Sequence, residues 1–279
     1  MTLKKKNIFL SLVIYKHKIH EIEKLLFSIQ ALEKHIKNEF NIFFLISDNS
    51  PQKFIEQPLL KHESILRKTS YTFHNFNLGY GRGHNFNLLK LKSQLFKKNS
   101  EDIFLILNPD ISFDAKNFSQ ILFWYEKTNN ISCASPLIFN SKNKIQYSAK
   151  KNPTFLSLFL GRIYFLQKLK FFKNYNDWHT NRIFNYKKDK IESSYLSGCF
   201  LITKRKFFEQ VKGFSEEYFL HLEDADLVRK LAKKGLTIHN PISNVTHQWA
   251  RGSHKSLSQM LCLIKSYFIY SWKWGINIW

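Results

Sequence analysis

The chain has 279 residues, enough to bury a large α/β core, and its 44% hydrophobic and 23% charged residues are ordinary globular values. Its 43 Lys and Arg against 21 Asp and Glu give a net charge of +22, a surface suited to nucleic acid, anionic lipid or phosphorylated substrates. No apolar run is long enough to span a bilayer, and Cys133, Cys199 and Cys262 form neither a CxxC pair nor a zinc spacing, so buried free thiols in a reducing compartment are expected.

The start resembles a signal peptide only superficially. Its apolar run is short, runs into Lys16, His17 and Lys18, and offers no small-residue cleavage site, so Ile8–Tyr15 reads as a first strand of a cytoplasmic protein. Residues 19–36 follow with Ile22, Leu25, Leu26 and Ile29 at helical spacing. "FNIFFLIS" is a second buried strand ending at Asp48, and "SYTFHNF" a short third one leading into "NLGYGRGHN", where a helix starts. Ile103–Leu107 reads as a strand buried on both faces, cut off by Asn108, Pro109 and Asp110. Helix "FSQILFWYEK" and strand "ISCASPLIF" complete a βαβα alternation, which predicts an α/β fold with a mostly parallel, Rossmann-like sheet flanked by helices. From about 140 to 192 the pattern gives way to a basic, aromatic insertion: residues 141–190 hold 12 basic and 2 acidic residues. "YLSGCFLIT" restores a strand, "KRKFFEQVKGF" and "EDADLVRKLAKKG" read as helices ending near Gly213 and Gly235, and "LTIHNP" and "SNVTHQWA" as short strands or loops. One domain over 1–254 and a helical, aromatic-rich C-terminal amphipathic tail over 255–279 are expected.

Ligands of open α/β sheets bind at the carboxyl ends of the strands, where Asp48 and Asp110 fall. Gly79, Gly81 and Gly83 between them would let backbone approach a ligand, although the run is neither GxGxxG nor a P-loop. Glu223, Asp224 and Asp226 open a helix, where carboxylates favour the dipole. The preceding "GFSEEYFLHL" surrounds them with aromatics that could desolvate one carboxylate and make it a better base.

"SLVIYKH", "DNSP", "NLGYGRGHN", "LNPDISF", "LSGCFLITKRKFFEQVKGFSEEYFLHLEDADLVRKLAKKG" and "VTH" stand in the order seen in family-two inverting glycosyltransferases of GT-A fold. The sequence most resembles the bacterial rhamnosyltransferase-like branch that builds surface polysaccharides such as O-antigen and capsule. The resemblance spans roughly residues 7 to 254, apart from the insertion. It implies transfer of a sugar, rhamnose or another deoxyhexose, from a nucleotide-sugar donor to a lipid-linked or polysaccharide acceptor. Residue by residue, it implies that Asp48 holds the nucleotide base beside Tyr15, and that Asn77 and Arg82 pack by the nucleotide-sugar. Asn108-Pro109-Asp110 stands for the DxD metal motif, with Asn108 replacing the first acid and Asp110 remaining as ligand to Mg²⁺ or Mn²⁺. His247 approaches the metal or diphosphate, Asp224 is the general base, and Gly198 lets sugar or acceptor approach the backbone. Ser215 departs from the family's Gly-Phe-Asp-Glu pattern.

The basic, aromatic tail, with Trp272, Trp274, Trp279 and Lys255, is expected to attach the protein peripherally to an anionic membrane surface at the inner face of the cell membrane, or else to pack on the domain as a covering helix. A nucleic-acid-binding protein is the rival reading of +22, but helix-turn-helix, zinc-finger and RNP-like signatures are lacking and no specific nucleic acid is expected. A catalytically inactive relative is a second alternative.

Overall fold

A computed structural model describes residues 5–17, 19–53, 67–93, 101–160, 168–248 and 257–278. Its centre is β4 (Ile103–Leu107), five buried residues flanked by β1 (Lys6–Ile14) in parallel and β10 (Phe200–Lys204) antiparallel. The strand is buried on both faces, as its composition predicts. Ile103, Leu105 and Leu107 join one core cluster, while Phe104 and Ile106 join the other.

The full sheet runs β3 (Thr69–Phe73), β2 (Phe40–Asp48), β1, β4, β10, β6 (Ile131–Asn140), β11 (Leu236–His247) and β5 (Ile111–Ser112), with β8 (Ile191–Glu192) also paired to β11. β2, β3, β6 and β11 run the same way as β1 and β4; β10, β5 and β8 oppose them. On one face, α1 (Ile19–Ile36) buries Ile22, Leu25, Leu26, Ile29 and Leu32, and α3 (Ala115–Lys127) buries Phe118, Ile121 and Leu122. Asp114 caps α3 by accepting from the Asn117 N–H at 2.8 Å. On the other face lie Leu88 and Leu91 of α2 (Tyr80–Ser93), Phe208 of α6 (Arg205–Gln210), and Leu227, Val228 and Leu231 of α7 (Glu223–Ala232). This is the three-layer α/β/α arrangement the alternation predicts.

Three expectations change. "YLSGCFLIT" is two strands, β9 (Tyr195–Leu196) and β10, because the chain turns at Ser197–Cys199. "LTIHNP" and "SNVTH" form one strand, β11, whose register shifts between His239 and Asn244 absorb Pro241, a residue that cannot donate to the ladder. Gly81 and Gly83 lie inside α2 and make room for Phe214 and Val13, not for a ligand: an added Cβ would sit 2.8 and 2.6 Å from those side chains. The described residues of the insertion form β7 (Ala149–Lys150), paired to β9, α4 (Phe155–Leu160) and α5 (Lys170–His179). All three cysteines are free, Cys133 and Cys199 buried and Cys262 half-buried.

The tail forms α8 (Leu257–Trp274), which docks on the domain. Leu263 and Tyr270 join Tyr218, Leu222 and Ala225 in a third cluster. Its far face, at helical spacing, exposes Leu261, Ile264, Phe268 and Trp272, the last 94% accessible. No helix among the described residues is long and apolar enough to cross a membrane. Arg251, Lys255 and Trp279 lie outside the described residues.

Candidate active site

Because β1, β2, β4 and β11 are parallel, their carboxyl ends bring Tyr15, Asp48, Asn108–Asp110 and His247 to one edge of the sheet. The antiparallel β10 begins at that same edge: Phe200 pairs with Leu107, and the Asn108 N–H donates to the Cys199 carbonyl at 3.0 Å. That reversal is what carries Gly198 and Cys199 into the site.

Two acidic centres share the edge. In the first, Asp110 Oδ1 lies 3.2 Å from His247 Nε2, and Asn108 Nδ2 is 3.3 Å from the same nitrogen. Oδ1 is buried and meets no hydrogen-bond geometry. Gln146 Oε1 sits 3.0 Å from His247 Nδ1 and, by accepting the Nδ1 proton, orients the ring with Nε2 toward Asp110. Burial alone would raise the Asp110 pKa; the adjoining His247 and His17 rings outweigh it and lower it. Burial works against a charged His247 too, but the Cys199 sulfur and Asp110 push the ring up to about 10. Once the proton between them is released, Asp110 Oδ1 and His247 Nε2 converge on one point and would fit a divalent cation. Among the described residues no group of three or more His, Cys, Asp and Glu is arranged to hold a metal. A cation held there would take its remaining ligands from substrate phosphate or water, as is usual for Mg²⁺.

The second centre is Asp224 at the start of α7. Its Oδ2 accepts from the Gly198 N–H at 2.8 Å and the Tyr195 hydroxyl at 3.2 Å, and its Oδ1 from the Ala225 N–H at 2.9 Å. A Cβ on Gly198 would lie 2.8 Å from that of Asp224, so the glycine leaves room for the carboxylate. Burial is the main force raising the Asp224 pKa, against the hydrogen bond from Gly198 and the Lys150 charge. Its neighbour Glu223, also buried, is raised to about 8 by burial and then by Asp224. Tyr80 and Tyr195 close around the pair. Burial, then neighbouring acidic groups, lift both phenols well above their ordinary range, so they stay protonated donors. The turn that delivers α7 is strained: His221 and Leu222 both have positive φ, 73° and 64°. Strain of this kind, about 1–3 kcal/mol per residue, persists only where packing over-determines it. Leu222 is held by Tyr218, Leu263 and Tyr270.

The other expected residues are placed as follows. Asp48 is fully buried, with Oδ1 accepting from the Ser50 N–H at 2.9 Å and Oδ2 from the Tyr71 hydroxyl at 2.6 Å. Tyr15 is 42% exposed beside it. Asn77 folds back on the Gly79 N–H at 2.9 Å. Arg82 commits Nε and Nη2 to the Glu216 carbonyl, at 2.9 and 2.7 Å. It thereby ties α2 to the loop before α7. Sequence reasoning missed His17, which feels Asp110 and Asp48, and Tyr80, Gln146, Lys150 and Tyr195. Tyr80 and His17 fall inside quoted motifs; Gln146 and Lys150 sit in the insertion, where no pattern marks them.

Residues 179–252, from the end of α5 through β11, match the family described as the N-terminal domain of galactosyltransferase. The chain is 28% identical over 204 residues to the N-acetylglucosaminyl-diphospho-decaprenol L-rhamnosyltransferase of Mycobacterium tuberculosis, covering 70% of this chain and 64% of that protein. It is 23% identical over 237 residues to rhamnosyltransferase WbbL of Escherichia coli K12, covering 83% of this chain and 79% of that one. The fold matches a mannosyltransferase of Pyrobaculum calidifontis solved with GDP-Man and Mn²⁺ at a TM-score of 0.62 and 12% identity, over 96% of this chain and 64% of that structure. The fold is that of the GT-A glycosyltransferases, and the sequence is similar to rhamnosyltransferases. The chain spans just under two thirds of the mycobacterial relative's length.

Proposed function

We propose that the chain is an inverting glycosyltransferase that moves a sugar, rhamnose or another deoxyhexose, from a nucleotide-sugar donor to a lipid-linked or polysaccharide acceptor in bacterial surface polysaccharide synthesis. The observation that carries this reading is the pairing, at one sheet edge, of a raised carboxylate at Asp224 with the Asp110–His247 pair. Inversion needs one base positioned against the acceptor hydroxyl. Gly198 and Tyr195 fix Asp224 Oδ2, which leaves an Oδ1 lone pair to take the proton. Asp48, with Tyr15, bounds the nucleotide side, and Asn77 and Arg82 shape the wall between the two halves. Asp110 and His247 would hold Mg²⁺ or Mn²⁺, which, when bound, neutralises the departing diphosphate.

The outward face of α8 supports peripheral attachment at the inner membrane surface. Trp272 and Phe268 are exposed next to Lys265, and aromatic belts with basic residues favour the headgroup region. The direct test is a thermal-shift panel of nucleotide-sugars with Mg²⁺ and Mn²⁺, followed by transfer assays with the donor that stabilises most. At least one nucleotide-sugar should raise the melting temperature in a metal-dependent way; a panel without any shift would contradict the reading. For the membrane, Phe268→Ser/Trp272→Ser should release the protein from anionic vesicles at low salt while donor binding persists. Unchanged vesicle binding would sink the attachment.

A further inference from the structure

Lys150 is mounted rigidly beside the second centre. Its carbonyl accepts from Ser193 Oγ at 2.6 Å, and the preceding Ala149 carbonyl accepts from the Tyr186 hydroxyl at 2.5 Å. Strand pairing sets Lys150 opposite Tyr195, and its ammonium lies 5.2 Å from the centroid of the ring whose hydroxyl holds Asp224. That ammonium has no hydrogen-bond acceptor or ion-pair partner among the described residues. Its charge couples first to Asp224 and then to Cys199, which also couples to His247, while the Asp110 carboxylate couples to His247 and His17. Arg182, itself paired with Asp177 at 3.3 Å, adds positive charge nearby. The guanidinium stacks 4.1 Å over Tyr147 and is close enough to depress the Lys150 pKa further, after burial. The residue is half-buried, so its ammonium is partly desolvated yet open to an arriving anion.

We propose that Lys150, backed by Arg182, binds a phosphate or diphosphate group carried by the acceptor. The inference rests on Asp224 as the base. The acceptor hydroxyl must reach Asp224, so the cation beside Asp224 meets what the acceptor carries, while the donor diphosphate lies with Asp110. It gives the insertion's positive charge a local purpose. Charge-assisted hydrogen bonds to phosphate are the strong class, so loss of Lys150 should be large and Arg should substitute for it.

The test uses the full chain with decyl diphosphate as probe, titrated by calorimetry both alone and with Mg²⁺ and a nucleoside diphosphate at saturation. Lys150→Gln should weaken decyl diphosphate about tenfold or more, Lys150→Arg far less, and nucleoside diphosphate affinity should stay within about twofold. The proposal is overturned if Lys150→Gln leaves decyl diphosphate binding unchanged, or if wild-type protein ignores that probe. It is equally overturned if the variant loses nucleoside diphosphate affinity instead, which would make Lys150 a donor-side group. Should wild-type protein bind no nucleoside diphosphate, the donor reading fails, and the titration of decyl diphosphate alone still decides the role of Lys150.

Discussion

Asp110 and Asp224 are buried carboxylates at one edge of one sheet, yet their surroundings drive them apart. Both are pushed up by burial. At Asp110 two imidazoles reverse the effect, and the carboxylate is held as an anion for a cation to meet. At Asp224 the second acid, Glu223, sits alongside and only one ammonium answers them, so the carboxylate is left readier to take a proton. Separated acid and base roles arise this way when environments pull two titratable groups in opposite directions.

The largest expected effect breaks the comparison on the base side. Asp224→Asn keeps size and polarity but cannot accept the proton, so turnover should fall by roughly 10²–10⁴-fold. Donor affinity, measured by calorimetry, should be unchanged. A wild-type rate would move the base to Asp226 or Glu223. Asp226 is poorly placed for that role: it is fully buried and accepts from Ser215 Oγ, the Trp274 indole and Lys273. The Ser215 hydroxyl can donate to Asp226, which the aspartate common in the family could not do without a proton.

Next comes the support behind the base. Tyr270 is buried against Leu222, whose positive φ orients α7. Tyr270→Ala should cost about 3–5 kcal/mol in urea denaturation, like other large aromatic truncations. Turnover should drop at temperatures where the variant is still folded. A loss below about 1 kcal/mol would show that the tail helix is not part of the core, since surface changes stay near that range.

A smaller, pH-dependent effect isolates Glu223. Its folded pKa is raised from 4.5 to about 8, so its contribution to stability is fully present below about 4.5 and is lost as pH rises through about 8. Its Oε2 is also buried without a partner. Glu223→Gln should therefore melt close to wild type at pH 4.5 and progressively above it toward pH 8. A constant offset across that range would remove Glu223 from the buried pair.

The sheet was legible because β1, β2, β4 and β6 are buried apolar runs and α1 and α3 show clean helical spacing. Asp48, Asp110 and Asp224 were legible because they end or begin such elements. What stayed hidden depends on partners distant in sequence. Nothing local says that Gly198 breaks a strand to serve Asp224, or that Gln146 meets His247 across 101 residues. Pro241 suggested a break in β11 because a bulge is set by the neighbouring strand, not by the chain itself. The motif glycines in α2 were read for a ligand, whereas their tight contacts are with Phe214 and Val13.

The most direct test of the two-carboxylate account is the pH dependence of kcat/KM for the acceptor, measured at saturating donor and metal in wild type and Tyr195→Phe. Activity should rise with pH on an acid limb lying above the ordinary carboxylate range, because Asp224 must lose a proton whose pKa burial has raised. The Tyr195 hydroxyl lowers that pKa by donating to Oδ2, so its removal should move the limb to still higher pH. A limb at the ordinary aspartate value, unmoved by Tyr195→Phe, would contradict the account.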